Sequence, residues 1–153
     1  MDDLEPVLRD HQFLRGFRED LVEFMVGCAT EASFAPGEFL IKEGGDANVM
    51  FLIRSGRVAL EIDMPGKGPV DLETLEPGDI VGISWLFPPF RWTMDVRAVD
   101  SVTALAFDAQ CLRSKMEADN SLGYAIAKRL IARLGERLKR ARLQRLDMYR
   151  AEM

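Results

Sequence analysis

One histidine, His11, stands in the whole chain. A haem, a facial metal triad or a histidine-based nucleophile system would therefore lack its usual parts. Only two cysteines occur, Cys28 and Cys111, and neither sits in CxxC spacing. An iron–sulfur cluster asks for four thiolates, and two isolated thiols are expected to be reduced and mostly buried. The longest uncharged apolar stretch, residues 80–90, is too short to span a bilayer and contains Pro88 and Pro89. The first residues, Met1-Asp2-Asp3-Leu4-Glu5-Pro6, carry no basic region followed by an apolar one, so no signal peptide is expected. Together these features set expectations of a cytoplasmic address, no metal and no membrane association. With no nucleophile–base pair either, the chain is not expected to be an enzyme.

What the chain does contain is enough for one core. Its 153 residues suit a single domain, and 48% apolar with 29% charged content is ordinary for a globular protein. The net charge of −5 hides an asymmetry. Residues 126–153 hold nine Lys/Arg against three acids, whereas the remainder is strongly acidic.

The hydrophobic period divides the domain in three. Residues 1–31 read as an N-terminal helical part, in which Leu21, Val22, Phe24, Met25 and Cys28 share one helical face. Residues 32–108 read as short strands and tight turns. Val49, Phe51 and Ile53 alternate with Met50, Leu52 and Arg54, and Val58, Leu60 and Ile62 with Ala59, Glu61 and Asp63. Val70, Leu72 and Thr74, then Val96 and Ala98, then residues 102–107 continue the set. A turn repeats: Ala35-Pro36-Gly37-Glu38 returns as Glu76-Pro77-Gly78-Asp79, in each case with proline presetting φ before a glycine that takes positive φ. Strands so spaced, with no helix between them, predict an antiparallel roll or barrel.

Residues 109–153 return to helix. Tyr124, Ala127, Ile131, Leu134, Leu138, Ala141, Arg145 and Met148 alternate spacings of three and four, which is a heptad seam. Leu122, Ile126 and Leu130 form a second stripe suited to packing on the β body. Two apolar faces on one helix need two partners, and a second copy of the chain is the simplest for the seam. A homodimer through this helix is expected.

The blocks His11-Gln12-Phe13-Leu14-Arg15-Gly16-Phe17, Phe34-Ala35-Pro36-Gly37-Glu38, Lys42-Glu43-Gly44-Gly45, Phe51-Leu52-Ile53-Arg54-Ser55-Gly56 and Leu75-Glu76-Pro77-Gly78-Asp79-Ile80-Val81-Gly82 follow one another in order. Together they resemble the cyclic-nucleotide-binding domain of Crp/Fnr-type regulators and cyclic-nucleotide-dependent kinases. The resemblance implies an eight-stranded jelly roll flanked by helices, with a last helix that dimerises and lids the pocket. It also implies a phosphate-binding cassette after the second Pro-Gly turn, roughly F-G-E-hydrophobic-small-L, with an arginine about nine residues after the glutamate. In such a cassette, backbone N–H groups and the arginine hold the cyclic phosphate while the glutamate accepts from the ribose hydroxyl.

Against that pattern the candidate pocket, Gly82, Ile83, Ser84, Trp85, Arg91, Trp92 and Thr93, is altered. Gly82 matches. Ile83 holds the glutamate position and Trp92 the arginine position. Arg91 is one residue out of register, and a one-residue slip in an extended chain turns a side chain to the other face. Two charged anchors worth roughly 1.5–3 kcal/mol each are missing, which predicts a loss of about two to four orders of magnitude in cAMP or cGMP affinity. Ser84 could still cap a short turn that leaves N–H groups for an anion.

The reading is a non-enzymatic regulatory module with weak or no cyclic-nucleotide binding and no other cofactor. Two alternatives stand beside it. One is a sensor for a different anionic small molecule, flatter and more apolar, with Arg91 or Arg97 answering its charge. The other is a pseudo-receptor that docks a partner protein, with Trp85, Phe87, Phe90 and Trp92 plugging the old pocket mouth or covering an interface. Crp/Fnr-type regulators continue into a helix-turn-helix after the dimer helix, and this sequence stops at Met153, so binding to nucleic acid is not expected. The basic residues Arg133, Arg137, Lys139, Arg140, Arg142 and Arg145 read as a solvated charged face.

Overall fold

The computed structural model describes residues 5–152. Helices α1 (Glu5–Asp10) and α2 (Glu19–Gly27) come first. Strands β1 (Ala29–Phe34), β2 (Phe39–Ile41), β3 (Val49–Ser55), β4 (Val58–Met64), β5 (Gly68–Leu75), β6 (Ile80–Val81), β7 (Asp95–Ala98) and β8 (Val102–Asp108) follow, and α3 (Ala109–Ala118) and α4 (Asn120–Glu152) close the chain. The side chain of Met148, the last seam position, lies outside the described residues.

In α2, Leu21, Val22 and Met25 turn inward, and Glu19 and Asp20 occupy the first turn, where carboxylates favour the helix dipole. The helical pattern expected through residue 31 stops earlier. Ala29 opens β1, which pairs with β8 from Ala29↔Phe107 to Phe34↔Val102, and this long-range ladder overrides local helix preference.

All strand pairs are antiparallel, and they form two four-stranded sheets of order β1-β8-β3-β6 and β2-β7-β4-β5. No strand belongs to both sheets, so the jelly roll is an open pair and the expected closure into a barrel does not occur. Two of the edge strands, β2 and β6, are only three and two residues long, too short to carry a long ladder. In β3 the alternation read from sequence gives the pleat but not the burial. Met50, Phe51, Leu52 and Ile53 are all buried, because β3 lies inside its sheet and is covered on both faces.

The turn repeat is real down to its side chains. Glu38 N–H donates to Ala35 O and Asp79 N–H to Glu76 O, each at 3.0 Å, while Gly37 and Gly78 take φ of +89° and +97°. In both turns the acid at the fourth position also accepts from the first backbone N–H, Glu38 Oε1 from Ala35 and Asp79 Oδ2 from Glu76, again at 3.0 Å.

Asp108 caps α3, accepting from Cys111 N–H at 3.2 Å, and Asp119 caps α4, accepting from Leu122 N–H at 3.1 Å. The inner stripe of α4, Leu122, Ile126 and Leu130, is buried against the body. Among the described residues no helix is long and apolar enough to cross a membrane.

The expected pair of free thiols is corrected. Cys28 and Cys111 form a disulfide, with Sγ atoms 2.25 Å and Cα atoms 6.3 Å apart. The β1–β8 pairing brings the end of α2 beside the start of α3, and Asp108 N–H donates to Cys28 O at 3.0 Å. A separation of 83 residues hides this proximity in the sequence. Disulfides are commonest in oxidising compartments, so the cysteines no longer argue for a cytoplasmic address.

Candidate functional site

The segment between β6 and β7 makes the site. It leaves β6 at Gly82, whose φ is +74°. One turn follows, closed by Leu86 N–H on Ile83 O at 3.0 Å, then a second, closed by Phe90 N–H on Phe87 O at 2.9 Å. No helix forms across residues 82–94. Ser84 therefore stands in an isolated turn rather than at the start of a helix.

The second half of the segment is zipped to the Gly44–Gly45 turn. Trp92 N–H donates to Gly45 O at 2.9 Å, Gly44 N–H to Trp92 O at 2.8 Å, and Ala47 N–H to Phe90 O at 2.8 Å. This extended pairing fixes which side each residue faces. Trp92 turns inward, 6% exposed, and its ring lies on Gly82 so closely that an added Cβ there would come within 2.7 Å of Cζ3. Arg91 turns outward, 57% exposed, with Nη1 2.6 Å from Asp46 Oδ1. It does not reach the interior.

Under the segment lies a cavity of about 170 Å³, walled by Ile41, Leu60, Gly82, Ile83, Trp92, Met94 and Val96, with Ser84 and Thr93 also on its lining. Helix α4 roofs it with Leu134 and Arg137. Of the sequence-derived candidates, Gly82, Ile83, Ser84, Trp92 and Thr93 meet here. Trp85 does not line it. Its side chain is fully buried in the core, its Nε1–H has no hydrogen-bond partner among the described residues, and its carbonyl accepts from Arg113 Nη1 at 2.5 Å. Arg97 does not line it either, because Arg97 Nε donates to the buried carboxylate of Glu61 at 2.5 Å.

The aromatic cluster expected at one mouth is thus divided. Trp92 walls the cavity, Trp85 is core, Phe87 is exposed, and Phe90 sits half-buried beneath the Arg113 guanidinium at 4.3 Å. Strand-like facing and a turn send neighbours in sequence to different places.

Arg137 is the site residue that sequence reading missed. Its guanidinium is buried and grips Glu73 of β5 with two bonds, Nε to Oε2 and Nη2 to Oε1, both 3.0 Å. Nη1 donates to Ile80 O at 3.2 Å. Arg140 follows, donating to Glu76 Oε1 and to Asp79 Oδ2, each at 2.7 Å. That side-chain bond to Asp79, with the carboxylates around it, raises the Arg140 pKa above its ordinary value. Further up the helix Arg129 donates to Phe13 O and stacks over Phe17 at 4.3 Å, and Arg133 Nη1 lies 3.5 Å from Gln12 Oε1. The basic face read as solvated is, at Arg133, Arg137 and Arg140, part of a ladder that, with Arg129, clasps α4 to the body. A signal was present: Arg137 stands seven residues beyond Leu130, in line with the buried stripe.

Much of the outer row of α4 is exposed in the single chain, although Leu134 packs on the core and roofs the cavity. Tyr124, Ile131 and Leu138 are 65%, 68% and 52% exposed, Ala141 and Arg145 are exposed, and Ala127 and Leu134 are half-buried.

The model of the cyclic nucleotide-binding domain family matches residues 31–119 of this chain. Among solved structures, a putative cyclic nucleotide-binding protein from Geobacter metallireducens is 25% identical with a TM-score of 0.79, over 90% of this chain and 99% of that one. A cyclic nucleotide-binding domain from Methylobacillus flagellatus is 17% identical with a TM-score of 0.76, over 95% of this chain and 82% of that one. The cAMP-binding acyltransferase from Mycobacterium smegmatis is 24% identical with a TM-score of 0.67, over 84% of this chain and 38% of that one.

Proposed function

The chain belongs to the cyclic nucleotide-binding domain family, and on that premise we propose that it is a non-enzymatic regulatory module that does not bind cAMP or cGMP and acts as a homodimer through α4. One observation carries the ligand part: the Trp92 ring occupies the position of the cassette arginine and lies on Gly82, leaving about 170 Å³. Pockets for small-molecule ligands and cofactors run from roughly 300 Å³ upward. Ile83 offers no acceptor for a ribose hydroxyl, and Arg91, the nearest cation in sequence, is held outside by Asp46. The Arg137 guanidinium faces the cavity already neutralised by Glu73, so it supplies no free positive charge for a phosphate.

The dimer rests on the outer row of α4. Tyr124, Ile131 and Leu138 recur at heptad spacing and are exposed in one chain. Gly135, between them, has open space where a Cβ would be, and glycine inside a helix costs about 1 kcal/mol relative to alanine. Close approach of a second helix gives both features a use. In this reading, a change in how α4 sits on the body passes to the partner copy and onward to a partner protein.

Isothermal titration of the purified protein with cAMP and with cGMP tests the ligand part. We expect no saturable heat from the native protein, and a gain of binding in the Ile83→Glu/Trp92→Arg variant, which restores both anchors. Saturable heat from the native protein would overturn it.

A further inference from the structure

Folded interiors are close-packed, and voids much larger than a water molecule are few. The cavity beneath residues 82–94 is such a void, about 170 Å³, walled mainly by Ile41, Leu60, Trp92, Met94, Val96 and Leu134. An apolar cavity of about 150 Å³ in another protein stays dry and takes up benzene. The volume therefore suits a single ring and excludes a nucleoside.

Charge narrows the class further. Among the described residues Arg137 is the only charged one on the lining, and both oxygens of Glu73 already bind its guanidinium. An anion would have to break that bidentate pair, whereas a neutral molecule leaves it intact. Two hydroxyls, Ser84 and Thr93, also line the cavity and make no side-chain hydrogen bond to another described residue. They stand on its outer side, where Ser84 is half-buried and Thr93 exposed. A ligand with one ring and one hydroxyl or amino group would bury the ring against Trp92 and meet Ser84 or Thr93 with its polar end.

Resting on the reading that cyclic nucleotides are excluded, we infer that this cavity is the binding site of a small neutral monocyclic aromatic compound carrying one hydrogen-bonding group. The ligand would lie between the Trp92 ring and the underside of α4. Its occupancy would bear on Leu134 and Arg137, the two α4 residues that roof the cavity and fix the helix on the body.

The test uses the full chain labelled with ¹⁵N and four probes, phenol, benzene, benzoate and cAMP. Chemical shifts of the Trp92 indole N–H and the Gly82 amide are followed to saturation. We expect phenol to saturate with a Kd of about 1 mM or tighter, benzene to bind several-fold more weakly, and benzoate to give no saturable shift. Leu134→Phe, which fills the cavity from the helix side, should weaken phenol by at least about tenfold while the spectrum stays dispersed. Leu60→Phe repeats the filling from the sheet side, should the first variant not fold.

Lack of any saturable phenol or benzene shift in the folded native protein overturns the inference and leaves the proposed function standing. Benzoate binding as tightly as phenol overturns the neutral class. A saturable cAMP shift overturns the proposed function itself, and with it the premise used here.

Discussion

His11 is buried and held by two hydrogen bonds that fix its protonation state. Its Nε2–H donates to Ile53 O at 3.1 Å, and its Nδ1 accepts from Phe13 N–H at 3.1 Å. A second ring proton would point Nδ1–H at another donor. Burial is the largest influence and lowers the His11 pKa below the ordinary 6.5; the bond to Ile53 opposes it, and Arg133, Arg54 and Arg15 add to it. The unfolded chain therefore takes up a proton at higher pH than the folded one. The stabilising effect of neutral His11 is complete above about pH 6.5 and is lost as pH falls through the lowered folded value. Thermal unfolding of native protein and His11→Gln at about pH 7.5 and about pH 5.5 reads this, with a steeper loss expected in the native protein. Equal losses would remove His11 as a source of acid sensitivity. Sequence shows that His11 is alone but not that it seals the N-terminal segment to β3, because Ile53 stands 42 residues away. At Arg91 and Trp92, by contrast, strand alternation was enough to say that the two side chains face opposite ways.

At the scale of elements, α4 was legible in its outline and not in its chemistry. Two apolar stripes follow from spacing alone, and the structure buries Leu122, Ile126 and Leu130 while leaving Tyr124, Ile131 and Leu138 exposed. The arginine ladder was visible only as a basic tail on an acidic body. The partners of Arg137 and Arg140, namely Glu73, Glu76 and Asp79, lie more than sixty residues back, on β5 and the β5–β6 turn. Part of the charge asymmetry, read from sequence as a solvated basic face, is satisfied within the chain. The seam is tested by Ile131→Asp with Leu138→Asp. Both positions are exposed in one chain, so the monomer fold should survive, and sedimentation velocity should change from dimer to monomer. A dimer that persists would place the interface elsewhere.

At the scale of the molecule, the fold came from its turns more than from its strands. The repeated Pro-Gly-acid turn and the helix–strand–helix order are local patterns, and each appears where expected. What failed was long-range: the open edges between the two sheets, the early start of β1 opposite β8, and the bridge from Cys28 to Cys111. That bridge ties the end of α2 to the first turn of α3 and closes a loop containing the whole jelly roll. Cross-linking so long a loop removes much of the freedom of the unfolded chain and stabilises by about 2–4 kcal/mol in typical cases. The β1–β8 ladder and the bond from Asp108 N–H to Cys28 O join the same two regions without it, so reduced protein should still fold. Urea unfolding with and without dithiothreitol should therefore give one cooperative transition in each case, shifted to lower urea under reduction by a stability loss of about that size. The Cys28→Ser/Cys111→Ser variant should match the reduced protein and ignore the reductant. Coincident curves for oxidised and reduced native protein would mean that the two sulfurs stay unbonded in solution. Stability would then rest on the ladder alone.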